Sequence, residues 1–235
     1  MKALVVVVIA TAWASVAQAQ PVPVTVSDVQ FRPSGELSYV LTNTTNQPIT
    51  AWAVHLRERQ PDGKSTDITA TTDKYIADAR RGLESDEQVN SRWLMPHQPH
   101  SFTLPGSHTN ADVTAVAAVF ADGAVAGDQS ITADVFRRRA VMRDTTRDVL
   151  LQLRSVQSSY KGNAAIREAS VRLSTPVGTQ ETDEVINPLK IQLSELAQRV
   201  TAQRLDGDVA LAHVIQQVER TYNASVKHAV PRKDQ

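Results

Sequence analysis

Val113-Thr114-Ala115-Val116-Ala117-Ala118-Val119-Phe120-Ala121-Asp122-Gly123-Ala124-Val125-Ala126-Gly127-Asp128-Gln129-Ser130-Ile131 contains the change of pattern on which the fold turns. Val113 to Phe120 is a short, almost wholly apolar run that ends in a hairpin-type turn at Ala121-Asp122-Gly123, and such a run suits a strand covered on both faces. After Gly127 the apolar period lengthens to about 3.6. Asp128 is a preferred N-cap, and Ile131, Val135, Met142, Val149, Leu153, Val156 and Tyr160 follow at helical spacing. A boundary is therefore placed at Gly127, with strands expected before it and helices after it.

Upstream, the same alternation recurs in short pieces. Val24 to Phe31 is rich in strand formers, Leu37, Tyr39 and Leu41 share one face of the next run, and Trp52, Val54 and Leu56 share one face of Ile49 to Leu56. Asn43 to Pro48 is a cluster of turn formers, and Gln60-Pro61-Asp62-Gly63 signals a hairpin whose return strand is expected over Ser65 to Thr72. Ser101 to Leu104 adds a further short strand, and Trp93-Leu94 is expected to cover one end. About seven short strands imply a two-sheet antiparallel sandwich of immunoglobulin or fibronectin-III type, with Trp52 filling the space between sheets. The chain has no cysteine, which removes a tryptophan-over-disulfide core.

Downstream, a long helix is expected from the Asp128 cap to Tyr160, and a shorter one over Ala164 to Ser174, ended by Pro176-Val177-Gly178-Thr179. Leu189, Leu193, Leu196 and Val200 mark the next helix, with Asn187 as cap and Pro188 in its first turn. Leu211, Val214, Ile215, Val218 and Tyr222 mark the last, behind Asp206-Gly207-Asp208. These two are expected to form a helical hairpin on the long helix. The class is α+β, with a β-sandwich over 20–127 and a helical region over 128–235.

The first nineteen residues carry a separate message. Lys2, an apolar run of about fifteen residues and Ala17-Gln18-Ala19 match an export leader with a signal-peptidase site, and the run is shorter than the roughly 20 residues a membrane helix needs. An exported chain, periplasmic or secreted, is expected, with maturation after Ala19 and no later membrane span. The 25 basic and 25 acidic residues cancel overall, and neither half is basic enough for a nucleic-acid binder.

The run Val119 to Asp128, followed by Ile131 and an arginine-rich helix, resembles a pattern of uncharacterised exported proteins of soil bacteria. Leu41-Thr42-Asn43 through Pro48-Ile49-Thr50-Ala51 is similar to a strand-turn-strand that they carry earlier. The likeness covers roughly residues 24–140 and implies a shared sandwich fold, without a reaction or ligand.

No catalytic group, metal or cofactor is assigned from sequence. His97, His100 and His108 lie close together, but prolines surround the first two and no helical pair with a nearby glutamate offers hydrolase geometry. They read as loop histidines, with an exported metal-dependent hydrolase as the alternative function. His55 falls opposite Trp52 and reads as exposed. Asp122 with Gly123, Asp128, Asp206 and Asp208 read as turn and cap residues in preference to calcium ligands. Arg137, Arg138, Arg139, Arg143 and Arg147 form the candidate patch for an anionic partner, offset by Asp134, Asp144 and Asp148. The expected function is a non-catalytic binding protein of the envelope or secreted space that engages a protein, peptide or glycan. Self-association through the helices is a candidate property, and a helical scaffold anchored by the sandwich is a further alternative.

Overall fold

The structure, a computed structural model, describes residues 21–59, 63–78, 93–106, 108, 110–174, 180–202, 205–226 and 231. The expected leader over 1–19 lies outside them, as do the Gln60-Pro61-Asp62 part of the first hairpin turn and the helix break at 176–179. Among the described residues seven strands come first: β1 (Val24–Phe31), β2 (Leu37–Asn43), β3 (Ile49–Arg59), β4 (Ser65–Asp73), β5 (Pro99–Leu104), β6 (Ala111–Phe120) and β7 (Val125–Gly127). A helical turn, α1, occupies 74–78 after β4. The helices α2 (Gln129–Ser159), α3 (Gly162–Ser174), α4 (Gln180–Thr201) and α5 (Gly207–Val226) follow. The period switch at Gly127 is thus where strand gives way to helix.

All strand pairings are antiparallel, in a three-stranded sheet of order β1-β2-β5 and a four-stranded sheet of order β4-β3-β6-β7. Alternation places Leu37, Tyr39 and Leu41 of β2 in one apolar cluster with Trp52, Val54 and Leu56 of β3, so both sheets contribute to a common core. Trp52 meets Phe102 of the other sheet edge-on, with ring centroids 5.3 Å apart. Residues 94–97 join both sheets. Leu94, fully buried, exchanges two 3.0 Å backbone hydrogen bonds with Ile49, and the His97 N–H donates to the Asn43 carbonyl. The buried Asn43 side chain completes the join, donating to the carbonyls of Gln47 and Leu94 and accepting from the Thr45 N–H and hydroxyl.

β6 hands over to α2 through one tight crossing. The register of β6 on β3 skips Val116, and the Val116 carbonyl instead accepts the Asp128 N–H at 2.8 Å. Gly127 sits against that carbonyl at φ 85, where a Cβ would lie 2.1 Å from the oxygen, so only glycine fits. Asp128 then caps α2, accepting from the Ser130 and Ile131 N–H groups and from the Ser130 hydroxyl.

Those donors hold the Asp128 carboxyl below its usual range, with the Ser130 hydroxyl the largest cause. A carboxyl whose folded pKa is depressed stabilises fully above its unfolded pKa and loses that contribution as pH falls through the folded value. Asp128→Ala is accordingly expected to lower the melting temperature at neutral pH and to leave a smaller difference from the parent in strong acid. Asp128→Asn, which keeps a capping acceptor, should retain most of the neutral-pH stability; melts followed by circular dichroism across pH check both.

The helices have a second apolar core, drawn from Met142 to Val156 of α2, Ala165 to Leu173 of α3, Val185 to Val200 of α4 and Ala210 to Val218 of α5. Two expectations change here. Pro188 lies inside α4 instead of in its first turn. An interior proline costs a helix about 3 kcal/mol, and the preceding Val185 and Ile186 are buried beside Leu189, which favours continuing the helix upstream through that defect. The last two helices also barely touch each other: α5 lies mainly along α2, and α4 mainly along α3. A backbone approach directs this arrangement. Gly207 at the head of α5 abuts Gly162 at the head of α3, where a Cβ on Gly207 would lie 2.3 Å from the Gly162 carbonyl oxygen. The Gly162 N–H also donates to Asp208 at 2.8 Å. No helix among the described residues is long and apolar enough to cross a membrane.

Candidate functional site

The arginine-rich segment of α2 separates into buried and exposed members according to helical angle. Thr132, Val135, Phe136, Arg139 and Met142 form one stripe at spacings of three and four. Val135 and Phe136 pack with Ala51 of β3 and Val119 of β6, so this stripe lies against the four-stranded sheet. Arg139 is carried into the same contact and is the largest fully buried side chain of the protein's described part.

A charge at that depth needs compensation, because desolvating an ion costs several kcal/mol. Arg139 finds it in Asp73, the last residue of β4, through Nε at 2.8 Å and Nη2 at 3.0 Å on separate carboxylate oxygens. The two side chains are 1% and 4% exposed. Nη2 also donates to Thr50 Oγ1 at 2.9 Å, and that hydroxyl donates to the Val119 carbonyl. Thr50 is aimed there by a bulge, since Ile49 pairs with Phe120 and Ala51 with Val119, leaving Thr50 as the extra residue.

Asp73 has a second task. Its Oδ1 accepts from the Tyr75 and Ile76 N–H groups and so caps α1. Tyr75 and Phe136 place their rings 5.1 and 5.8 Å from the guanidinium carbon, and burial pushes the Tyr75 hydroxyl pKa well up. This cluster is a closed junction between β3, β4, α1 and α2. Its groups face one another, and Arg139 is not available to an external anion.

The other four arginines of the candidate patch stand beside acidic neighbours on the same helix. Arg137 and Arg138 meet Asp134, Arg143 meets Asp144, and Arg147 meets Asp144 and Asp148. The Arg143 contact raises the arginine pKa and lowers that of Asp144. Exposed pairs of this kind contribute roughly 0–1 kcal/mol each and are screened by salt.

The histidines disperse. His97 bonds Asn46 at 3.0 Å, His108 bonds Glu58 and the Pro105 carbonyl, and His100 lies on β5, where burial lowers its pKa. Among the described residues no three histidine, cysteine or acidic side chains converge where they could hold a metal ion. Asp122 accepts the Ala124 N–H in the turn with Gly123, and Asp206 accepts the Asp208 and Val209 N–H groups at the start of α5.

A surface that sequence reasoning missed lies on the four-stranded sheet. Ala51 faces α2, and strand alternation puts His55, Arg57 and Arg59 on that same face, beyond the helix. Asp67 of β4 sits directly opposite Arg57 and accepts from its Nε at 2.9 Å and from His55 at 3.3 Å, while Arg59 reaches Asp112 of β6 at 2.9 Å. The Arg57 hydrogen bond holds the Asp67 carboxyl below its usual range. The arginines are 56% and 66% exposed. The available signal was the Ala51-Ala53-His55-Arg57-Arg59 alternation, in which small residues mark the helix-covered part and charged residues the remainder.

Comparison with known protein families, curated proteins and solved structures found no match for this chain.

Proposed function

We propose that the chain is an exported, non-catalytic binding protein of the cell envelope or secreted space. In this reading its two sheets form a sandwich of immunoglobulin or fibronectin-III type, and the helical region braces one face. The observation that carries the proposal is the charged shelf of His55, Arg57, Arg59, Asp67 and Asp112 beside α2, held out on rigid strands. A flat, solvated sheet surface cannot exclude water from a reacting centre, but its alternating guanidinium and carboxylate groups suit a polar protein, peptide or glycan. The leader-like first nineteen residues support export. The resemblance to exported proteins of soil bacteria agrees with it.

Affinity capture from the envelope fraction of the source cell tests this reading. The parent chain is compared with an Arg57→Glu, Arg59→Glu variant whose melting is first shown to be unchanged. Components retained by the parent and lost by the variant would support the shelf as the binding surface. An identical set from both would overturn it, as would turnover of ester, amide or glycoside substrates by the purified protein.

A further inference from the structure

Four strands lie at the margins of the two sheets: β1 and β5 in one, β4 and β7 in the other. A marginal strand offers backbone N–H and C=O groups to any extended chain that meets it, and folded proteins blunt such margins with bulges, prolines, charge or brevity. β1 is interrupted by a register shift between Ser27 and Gln30, with Asp28 at φ 50. β5 has six residues and starts at Pro99, and β7 has three. β4 lacks these defences. It has nine residues, pairs with β3 from Ser65 to Asp73 without a shift, and contains neither proline nor lysine. Its exposed carboxylate, Asp67, is engaged by Arg57 and His55, and Ile68 is 40% exposed in mid-strand. Among the described residues no strand runs along its outer side.

We propose that β4 is a pairing edge for a second copy of this chain, antiparallel across a two-fold axis at Ile68. The sequence of the strand fits its own copy in this register. With the axis at Ile68, that side chain meets its own copy, Asp67 stands opposite Thr69, Thr66 opposite Ala70, and Ser65 opposite Thr71. Apolar meets apolar, and no like charges oppose each other. With the axis one residue earlier, Asp67 opposes Asp67. With the axis one residue later, Thr69 meets its own copy and Ile68 faces Ala70, so the strand's one large apolar side chain loses its equal partner. Two four-stranded sheets would then continue as one. A two-fold contact uses the same surface on both copies, so a self-complementary strand suffices. Pairing over about seven residues buries less than the roughly 1,200–2,000 Å² of a stable interface, so the dimer depends on concentration. This inference does not depend on what the charged shelf binds.

Sedimentation of the purified chain over a concentration series reads the association directly, and the absence of native cysteine supplies a register probe. The expected result is a weight-average mass that climbs toward about twice the monomer value, lost in Ile68→Lys at unchanged melting temperature. Ile68→Cys should form an intermolecular disulfide under mild oxidation, because directly opposed Cβ atoms lie about 4.5–5.5 Å apart. Leu151→Cys, on an exposed position of α2, should not. A chain that stays monomeric at the highest soluble concentration, with Ile68→Cys remaining a free thiol, would overturn the proposal. So would a dimer that survives Ile68→Lys, or preferential cross-linking through Leu151→Cys, which would assign association to the helices.

Discussion

Arg139→Ala is expected to cost about 3–5 kcal/mol of stability, because it strands the Asp73 carboxylate in a dry junction. The Asp73 side chain is 4% exposed, and the lost arginine supplies two of its hydrogen bonds and its counter-charge. A domain whose total stability is roughly 5–15 kcal/mol would lose a large share of it. The measurement is urea unfolding followed by both far-ultraviolet circular dichroism and tryptophan fluorescence, with midpoints compared with the parent. A double variant separates burial from pairing. Arg139→Met with Asp73→Asn removes both charges while leaving an acceptor for the Tyr75 and Ile76 N–H groups, and should recover most of the loss. If the single variant unfolds at the parent's midpoint, the junction is not the structural tie described above.

Trp52→Ala is expected to cost a similar amount, about 3–5 kcal/mol, through lost transfer energy and the cavity left behind. Trp52 is 2% exposed, contacts Phe102 of the other sheet edge-on and lies beneath Lys74 at 6.0 Å. Trp52→Phe, which refills part of that volume, should cost distinctly less. Both variants act on the β core, whereas Arg139→Ala acts between the two cores. Fluorescence and circular dichroism should therefore diverge more for Arg139→Ala, where the helices can loosen while the sheets stay folded. Coincident transitions in that variant would show that the halves unfold together.

Much of this fold was legible because its elements obey simple periods. Leu37, Tyr39 and Leu41 alternate, as do Trp52, Val54 and Leu56, and all six are buried in the shared core. The Asp128 cap was equally plain, since a short acceptor side chain after glycine and before a helical stripe has few other uses. Arg139 was grouped with its neighbours as a candidate patch for an anionic partner, and the structure sets it apart by burying it against Asp73. Its place was nevertheless encoded, because it fills the position between Val135 and Met142 that an apolar residue would occupy.

Other features depend on contacts remote in sequence. The Thr50 bulge depends on β6 and α2, which lie far along the chain. The interior position of Pro188 follows from buried side chains upstream that outweigh a local preference. Likewise, the α3 to α5 approach at Gly162 and Gly207 takes the place of the simpler pairing of the last two helices. As for the candidate surfaces, the arginine cluster was visible and the β-sheet shelf was not. Strand faces become meaningful only once it is known which end a helix covers.

The join made by residues 94–97 has a consequence for how the chain tolerates damage. On one side of the 79–92 stretch, Ile76 packs into the helical core; on the other, Leu94 is bonded into both sheets through Ile49 and Asn43. Each flank has its own mooring. The chain is thus held by separate contacts at the two places, so a lesion that breaks the Leu94 mooring should loosen the sheets from each other without releasing Ile76 from the helices.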